Sequence, residues 1–229
     1  MDLQRHALRA AKGAAIPGQG RRGGCEKRGL GSVDRRTGSF ISLSQPGGGA
    51  ALPANPHFRL RNVDWAPLVG KTDYAINEGD YITDTDWGPG DLAEGDDPGY
   101  PWKDVSTATG VSFLRSRIRP AHIRDGMSQT YLVGEKYVKV RGYYSISDPG
   151  YDQSMYSGVD LDLNRWTIQP PARDGTEDGE RRFGSAHLHG CQMAFADGSI
   201  RLISYGIDPE THRSLGNRKD QLPLDESEY

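Results

Sequence analysis

Glycine and proline interrupt this chain so often that few stretches can run as a helix: thirty glycines and fourteen prolines stand among its 229 residues. Glycine loses more backbone freedom in a helix than any other residue, and proline removes a donor and clashes with the preceding turn. A helical bundle is therefore excluded. Short strands joined by long loops, with one or two short helices and antiparallel connections, define an α+β expectation. A mean hydropathy of −0.69 agrees with a loop-rich chain facing water. No apolar run of roughly 18 residues occurs, so the sequence contains no helical membrane span.

The net charge of −3 gives no whole-chain reason to expect nucleic acid as a partner. Its distribution is uneven. Residues 1–38 carry nine Lys and Arg against three acidic residues and are rich in Gly and Ala, which reads as a disordered basic leader outside the domain. No apolar core of a secretory signal lies there. Residues 39–70 read as an irregular linker containing Gly47-Gly48-Gly49, and the domain proper as 71–225. Within it, residues 73–104 hold ten acidic residues against Lys103 alone, interleaved with Tyr74, Tyr81, Trp87, Tyr100 and Trp102. That segment reads as a long acidic loop.

Strand signals begin at Val111, Phe113 and Ile118, before a turn at Asp125-Gly126, and continue through Thr130–Val140, rich in β-branched and aromatic residues. The strongest local signal is Asp197-Gly198 between two alternating apolar runs. A two-residue turn there sets Phe195 opposite Ile200, Met193 opposite Leu202 and Ala194 opposite Arg201. The apolar side chains then share one face and the arginine takes the other. Asp208-Pro209 next opens a helix with Asp as N-cap and Pro at its first position, Leu215 inward and Gly216 as terminator.

His187, nine further residues and Asp197-Gly198 resemble the bacterial prepilin-type, processing-associated H-X9-DG family, domain of unknown function 1559. Three other stretches fit the same pattern. They are Lys71-Thr72-Asp73-Tyr74-Ala75 with Asn77 and Gly79-Asp80, then Ile123–Thr130 with Gly134-Glu135-Lys136-Tyr137, then Ile207-Asp208-Pro209 through Arg218. Met127 and Gln129 replace the usual Thr and Asn, and Gln221 stands where glycine often follows the aspartate. The resemblance implies a pseudopilin-like C-terminal domain at the cell envelope, related to type II secretion or the type IV pilus. Its partners would be other pseudopilin-like or envelope proteins, and no catalysis is implied. Family members begin with a prepilin leader, and residues 1–64 are expected to carry none. His187, Asp197, Gly198, Asp125, Gly126 and Glu135 are the motif positions, read as structural.

The residues themselves offer other chemistry. His187 and His189 lie two apart, so on a strand both rings would share a face with Cys191, and His212 or Asp197 could complete a zinc set. Ser185, His187 and Asp197 imitate a hydrolase trio without a nucleophile elbow. Asp80, Asp84, Asp86, Asp91, Asp96 and Asp97 supply the hard oxygens that a structural calcium ion prefers. Asp160-Leu161-Asp162 begins like a calcium loop, but Arg165 takes the glycine position. The interleaved aromatics could serve a carbohydrate, giving an extracytoplasmic carbohydrate- or calcium-binding module as the alternative function. A straight strand would separate the His187 and Asp197 backbones by roughly 33 Å, which forbids a dyad.

Overall fold

A computed structural model describes residues 51–57, 64–82, 88–224 and 229. The leader 1–38, the triple glycine and the residues Asp84, Asp86 and Trp87 lie outside the described residues. Strands β1 (Ala51–Pro53) and β2 (Leu68–Gly70) pair as a small antiparallel ribbon. The chain then enters β3 (Tyr74–Gly79), passes the five-residue helix α1 (Leu92–Asp96) and returns as β4 (Tyr131–Glu135). Next come β5 (Asn164–Trp166) and the short parallel pair β6 (Ala172–Arg173) and β7 (Gly184–Ser185). The hairpin β8 (Gly190–Phe195) and β9 (Ile200–Ser204) leads into α2 (Pro209–Gly216).

Five strands form the central sheet in the order β5-β3-β4-β8-β9. Only the β3–β5 pairing is parallel; the other three are antiparallel. The fold is α+β with a mostly antiparallel sheet, as the composition requires.

Several local expectations need correction. The stretch 73–104 is not a single loop, since it holds the central strand β3 and the helix α1. The stretch 111–118 is not a strand, because Val111 and Ser112 both donate their backbone N–H to the Asn77 carbonyl and Phe113 turns under the Arg218 guanidinium. The strand starting at Thr130 ends at Glu135, beyond which Lys136 bridges to Phe183 and Tyr137 donates to the Arg182 carbonyl. The hairpin has its turn where expected but its register is one residue off. Phe195 and Ser199 close the loop through Phe195 N–H to Ser199 O and leave Ala196, Asp197 and Gly198 between them. Gly198 alone of the three has a positive φ, +89°, as a three-residue loop with a glycine bulge requires. Ala194 therefore opposes Ile200, and Met193 opposes Arg201.

A one-residue slip exchanges faces. Cys191, Met193, Phe195 and Ile203 point into the core, while Ile200 and Leu202 stay about half exposed on the other face. Arg201, expected outward, lies inside, stacked over the Phe195 and Tyr229 rings. The inner face packs Tyr131, Phe183, Met193 and Phe195 against Ile207 and Leu215. The Tyr131 ring sits edge-on to both Phe183 and Phe195.

Helix α2 follows its sequence signals. The Asp208 carboxylate accepts from the N–H groups of Glu210 and Thr211, satisfying two orphan donors of the first turn. Gly216 is needed for closeness rather than for stopping the helix. A Cβ there would lie 2.0 Å from the Thr167 hydroxyl. The helix can then approach the sheet until the Asn77 amide donates both to Gly216 O and to Tyr131 O.

Candidate functional site

Glu135 ends β4 on the sheet face opposite the core, cross-strand from Tyr74. Its carboxylate is nearly buried. One oxygen accepts the Gln192 N–H at 2.8 Å, and the other lies 3.3 Å from His187 Nε2, whose ring is half exposed. The histidine and the glutamate of two separate motif segments thus meet each other. A histidine–carboxylate contact ties the bend 186–189 to the sheet.

Asp197 has no part in that pair. Its carboxylate accepts the Ser199 hydroxyl and N–H, which lowers its pKa from the ordinary carboxylate value and buttresses the turn. Gly198 supplies the positive φ beside it. Asp125 acts at a distance in sequence: its two oxygens accept from Asp220 N–H and Gln221 N–H, clipping the chain's closing turn beside Gly126, φ +97°. Gln221 holds a left-handed φ of +56° beside this clip.

The zinc geometry drawn for a strand does not arise. His187 and His189 lie in the bend before β8, exposed, whereas Cys191 is fully buried in the core. His212 is buried against Tyr131 and Phe183, where loss of water lowers its basicity to about 3 and keeps it neutral. Ser185 donates to the Gly190 carbonyl, and its oxygen accepts the His187 backbone N–H rather than facing the imidazole. Among the described residues, no three His, Cys, Asp or Glu side chains converge in a metal-binding group. Of the acidic set, Asp80 is held by Arg213 at 2.6 Å and by the Asn217 amide. Asp91 caps α1 by accepting Glu94 N–H, Asp97 accepts Gly99 N–H, and Asp96 is exposed at the helix end.

Beside the sheet lies a second feature that the sequence reading missed. Lys136 is completely buried, donates to Gly150 O at 2.9 Å and to Asp162 O, and covers one part of the Tyr151 ring. Lys71 donates to Tyr151 O and Ser145 O and also lies over that ring. Arg165, fully buried, directs its guanidinium at the carbonyls of Arg182, Tyr137, Gly150 and Leu161. Three cations therefore staple the irregular segment 137–163 through its carbonyl oxygens. The carboxylates Asp73, Asp148 and Asp162 balance them, with Asp73 accepting from the Tyr151 hydroxyl, and Asp174 beside them accepts the Val138 N–H and the Tyr143 hydroxyl. Burial lowers the Lys136 pKa and raises that of Asp162, and it lifts Asp174 to about 6. Lys71 and Lys136 stand inside two of the four motif stretches, two residues before Asp73 and next to Glu135, and those nearby opposite charges are the signal in the sequence.

The sheet's outer face is open. Tyr74, Val133, Gln192, Ala194 and Ile200 line a shallow groove of about 350 Å³ across β3, β4, β8 and β9. Ile76, Leu132 and Leu202 add exposed apolar side chains nearby. Glu135 and its histidine stand next to Tyr74 and Gln192, two of the lining residues.

A one-sided α+β sheet module with a histidine–glutamate tie is the class that the fold and site define. The chain belongs to the family described as "Protein of unknown function (DUF1559)", whose model matches residues 53–210 and so spans the sheet, the buried cations and His187. No curated protein and no solved structure matches it. Among the described residues, no helix is long and apolar enough to cross a membrane.

Proposed function

We propose that this chain is a non-catalytic, pseudopilin-like assembly module of the cell envelope, in the manner of type II secretion or type IV pilus components. The observation that carries this reading is the sheet buried on one face only. A sheet that leaves Ile76, Ile200 and Leu202 exposed beside a groove presents a surface for another apolar element. The engagement of Glu135, His187 and Ser185 in bonds that position backbone supports a structural role for these residues. Fractionation of source cells with an antibody to the chain tests the proposal. Recovery with the envelope, and in-cell crosslinking through Ile76→Cys to a pilin-like protein, is the expected result. Recovery in the cytoplasmic fraction alone would overturn it.

A further inference from the structure

Charge is segregated between two neighbouring segments of the surface. Residues 105–124 contain no acidic residue and carry Arg115, Arg117, Arg119 and Arg124, all exposed. Among the described residues, none of these four forms an ion pair. Arg117 and Arg119 alternate with partly buried Ser116 and Ile118, as an extended segment with one outward face does. The strip is fixed from beneath. Phe113 lies under the Arg218 guanidinium, Ser116 N–H donates to Phe113 O, and Arg124 N–H donates to Arg218 O. Residues 91–104, by contrast, hold five acidic residues against Lys103. These five, Asp91, Glu94, Asp96, Asp97 and Asp104, are exposed and form no ion pair among the described residues. A single aromatic ring joins the two bands. The Arg115 guanidinium stacks over Trp102 at 4.6 Å from the ring centroid, and the same ring stands in van der Waals reach of the Cβ position of Gly95 in α1.

We propose that these two bands dock against a second copy of this chain. The basic strip of each copy lies on the acidic segment of the other, about a two-fold axis along their boundary at Trp102. The bands adjoin and carry equal and opposite charge, four arginines against a balance of −4, so that rotation makes the surface complementary to itself. Such a contact is isologous and closes as a dimer. Within one copy the bands lie side by side and leave their charges unpaired, which a second copy corrects. Leu92, 73% exposed among those carboxylates, supplies an apolar contact. Arginine is the cation that interfaces favour, because its planar guanidinium can bind a carboxylate through two bonds. A strip already fixed in the monomer loses little further freedom on docking. The inference uses no residue of the open sheet face and is independent of envelope placement.

Sedimentation of the purified full chain across the micromolar range tests it through an exchange of charge. The natural chain is expected to be dimeric at about 0.05 M salt and to lose at least about tenfold in affinity at about 0.5 M, where the Debye length falls to about 4 Å. Arg117→Glu with Arg119→Glu, and separately Asp96→Lys with Asp97→Lys, should each be monomeric, because like charges then oppose across both halves of the contact. Mixing the two variants should restore a dimer. In that heterodimer the reversed strip of one variant meets the reversed segment of the other, and the natural strip and segment complete the second half. The rescue also shows that both variants are folded. A natural chain that stays monomeric at low salt, a dimer insensitive to salt and to both variants, or a mixture of two variants with natural far-ultraviolet spectra that stays monomeric overturns the proposal. So does a monomer that binds phosphatidylglycerol vesicles through the same arginines, which would assign the strip to a membrane surface.

Discussion

Two interiors lie side by side in this molecule and are built on opposite principles. Under the sheet, Tyr131, Phe183, Met193, Phe195 and Leu215 exclude water by apolar area, which is non-directional and tolerant of small rearrangements. Beside it, Lys71, Lys136 and Arg165 hold the carbonyls of an irregular segment, with Tyr151 lying under both ammonium groups. That second interior has little regular structure, so its backbone groups need partners that no strand or helix supplies. Buried cations fill the need by presenting several donors each. The difference teaches why a glycine-rich chain can order a long loop: the loop is tied by charge-assisted hydrogen bonds rather than by packing.

The two interiors should answer acid in opposite directions. His212, buried inside the apolar core, has its pKa lowered to about 3 by burial. The unfolded chain takes up that proton first, so the associated stability is complete above about pH 6.5 and is lost as pH falls toward 3. The loss is on the order of 4–5 kcal/mol over that window. Asp174, in the ionic interior, is raised to about 6 by burial and contributes the reverse, a gain as pH falls through 6 toward 4. Urea unfolding from pH 7 to 3 should therefore show a steep acid limb in the natural chain and a much flatter one in His212→Leu. An equally steep limb in that variant would assign acid lability to some other group.

Removing a cation from the ionic interior sharpens the contrast. Lys136→Met leaves Asp162 O without its Lys136 donor, leaves Gly150 O to Arg165 alone, and removes one of the cations facing the Asp162 carboxyl. A cost of about 3 kcal/mol is expected near pH 7. It should shrink at pH 5, where Asp162, already raised by burial, takes a proton instead. A cost independent of pH would mean that Lys136 contributes through packing, like a residue of the apolar core.

Much of the apolar side was legible in the sequence. The turn at Asp197-Gly198, the capped helix at Asp208-Pro209 and the strand from Thr130 all follow local signals, because turn and cap chemistry act within a few residues. The register slipped because a two-residue and a three-residue loop share the same Asp-Gly pair, and apolar content alone placed Ile200 and Leu202 inward. An open outer face breaks the assumption that apolar means buried. The ionic side was scarcely legible. Lys136 meets Gly150 and Asp162, and Arg165 meets Tyr137, through contacts that depend on loop paths with no periodic signature. The His187–Glu135 contact was missed for a similar reason, since 52 positions separate residues that only the β4–β8 pairing brings together.

The hairpin turn tests how far the apolar side depends on register. Gly198→Val forces a β-branched residue to φ near +89°, in otherwise open space. Strain of about 2 kcal/mol is expected, read as a lower urea midpoint with an unchanged slope. A changed slope would instead indicate that β8 and β9 had re-paired, as the alternative two-residue register allows.

The smallest effect should come from the tie between the histidine bend and the sheet, which stands where the covered and open faces meet. Glu135→Gln keeps an oxygen to accept from Gln192 N–H but removes the charge facing His187. Because the imidazole is half exposed, solvent screens the contact, and the global loss should be about 1 kcal/mol or less. The local consequence should be larger than the global one. Residues 186–189 have no ladder of their own and are fixed by this contact, by Tyr205 donating to Ser185 O and His187 O, and by Ser185. Amide exchange in the bend should accelerate in Glu135→Gln while that of Met193 and Ile203 stays slow. Glu135→Ala should add a global cost, because the Gln192 N–H then loses its acceptor in a part-buried position. Equal exchange in the bend for the natural chain and Glu135→Gln would show that Tyr205 and Ser185 alone hold it, reducing the histidine–glutamate contact to a surface pairing.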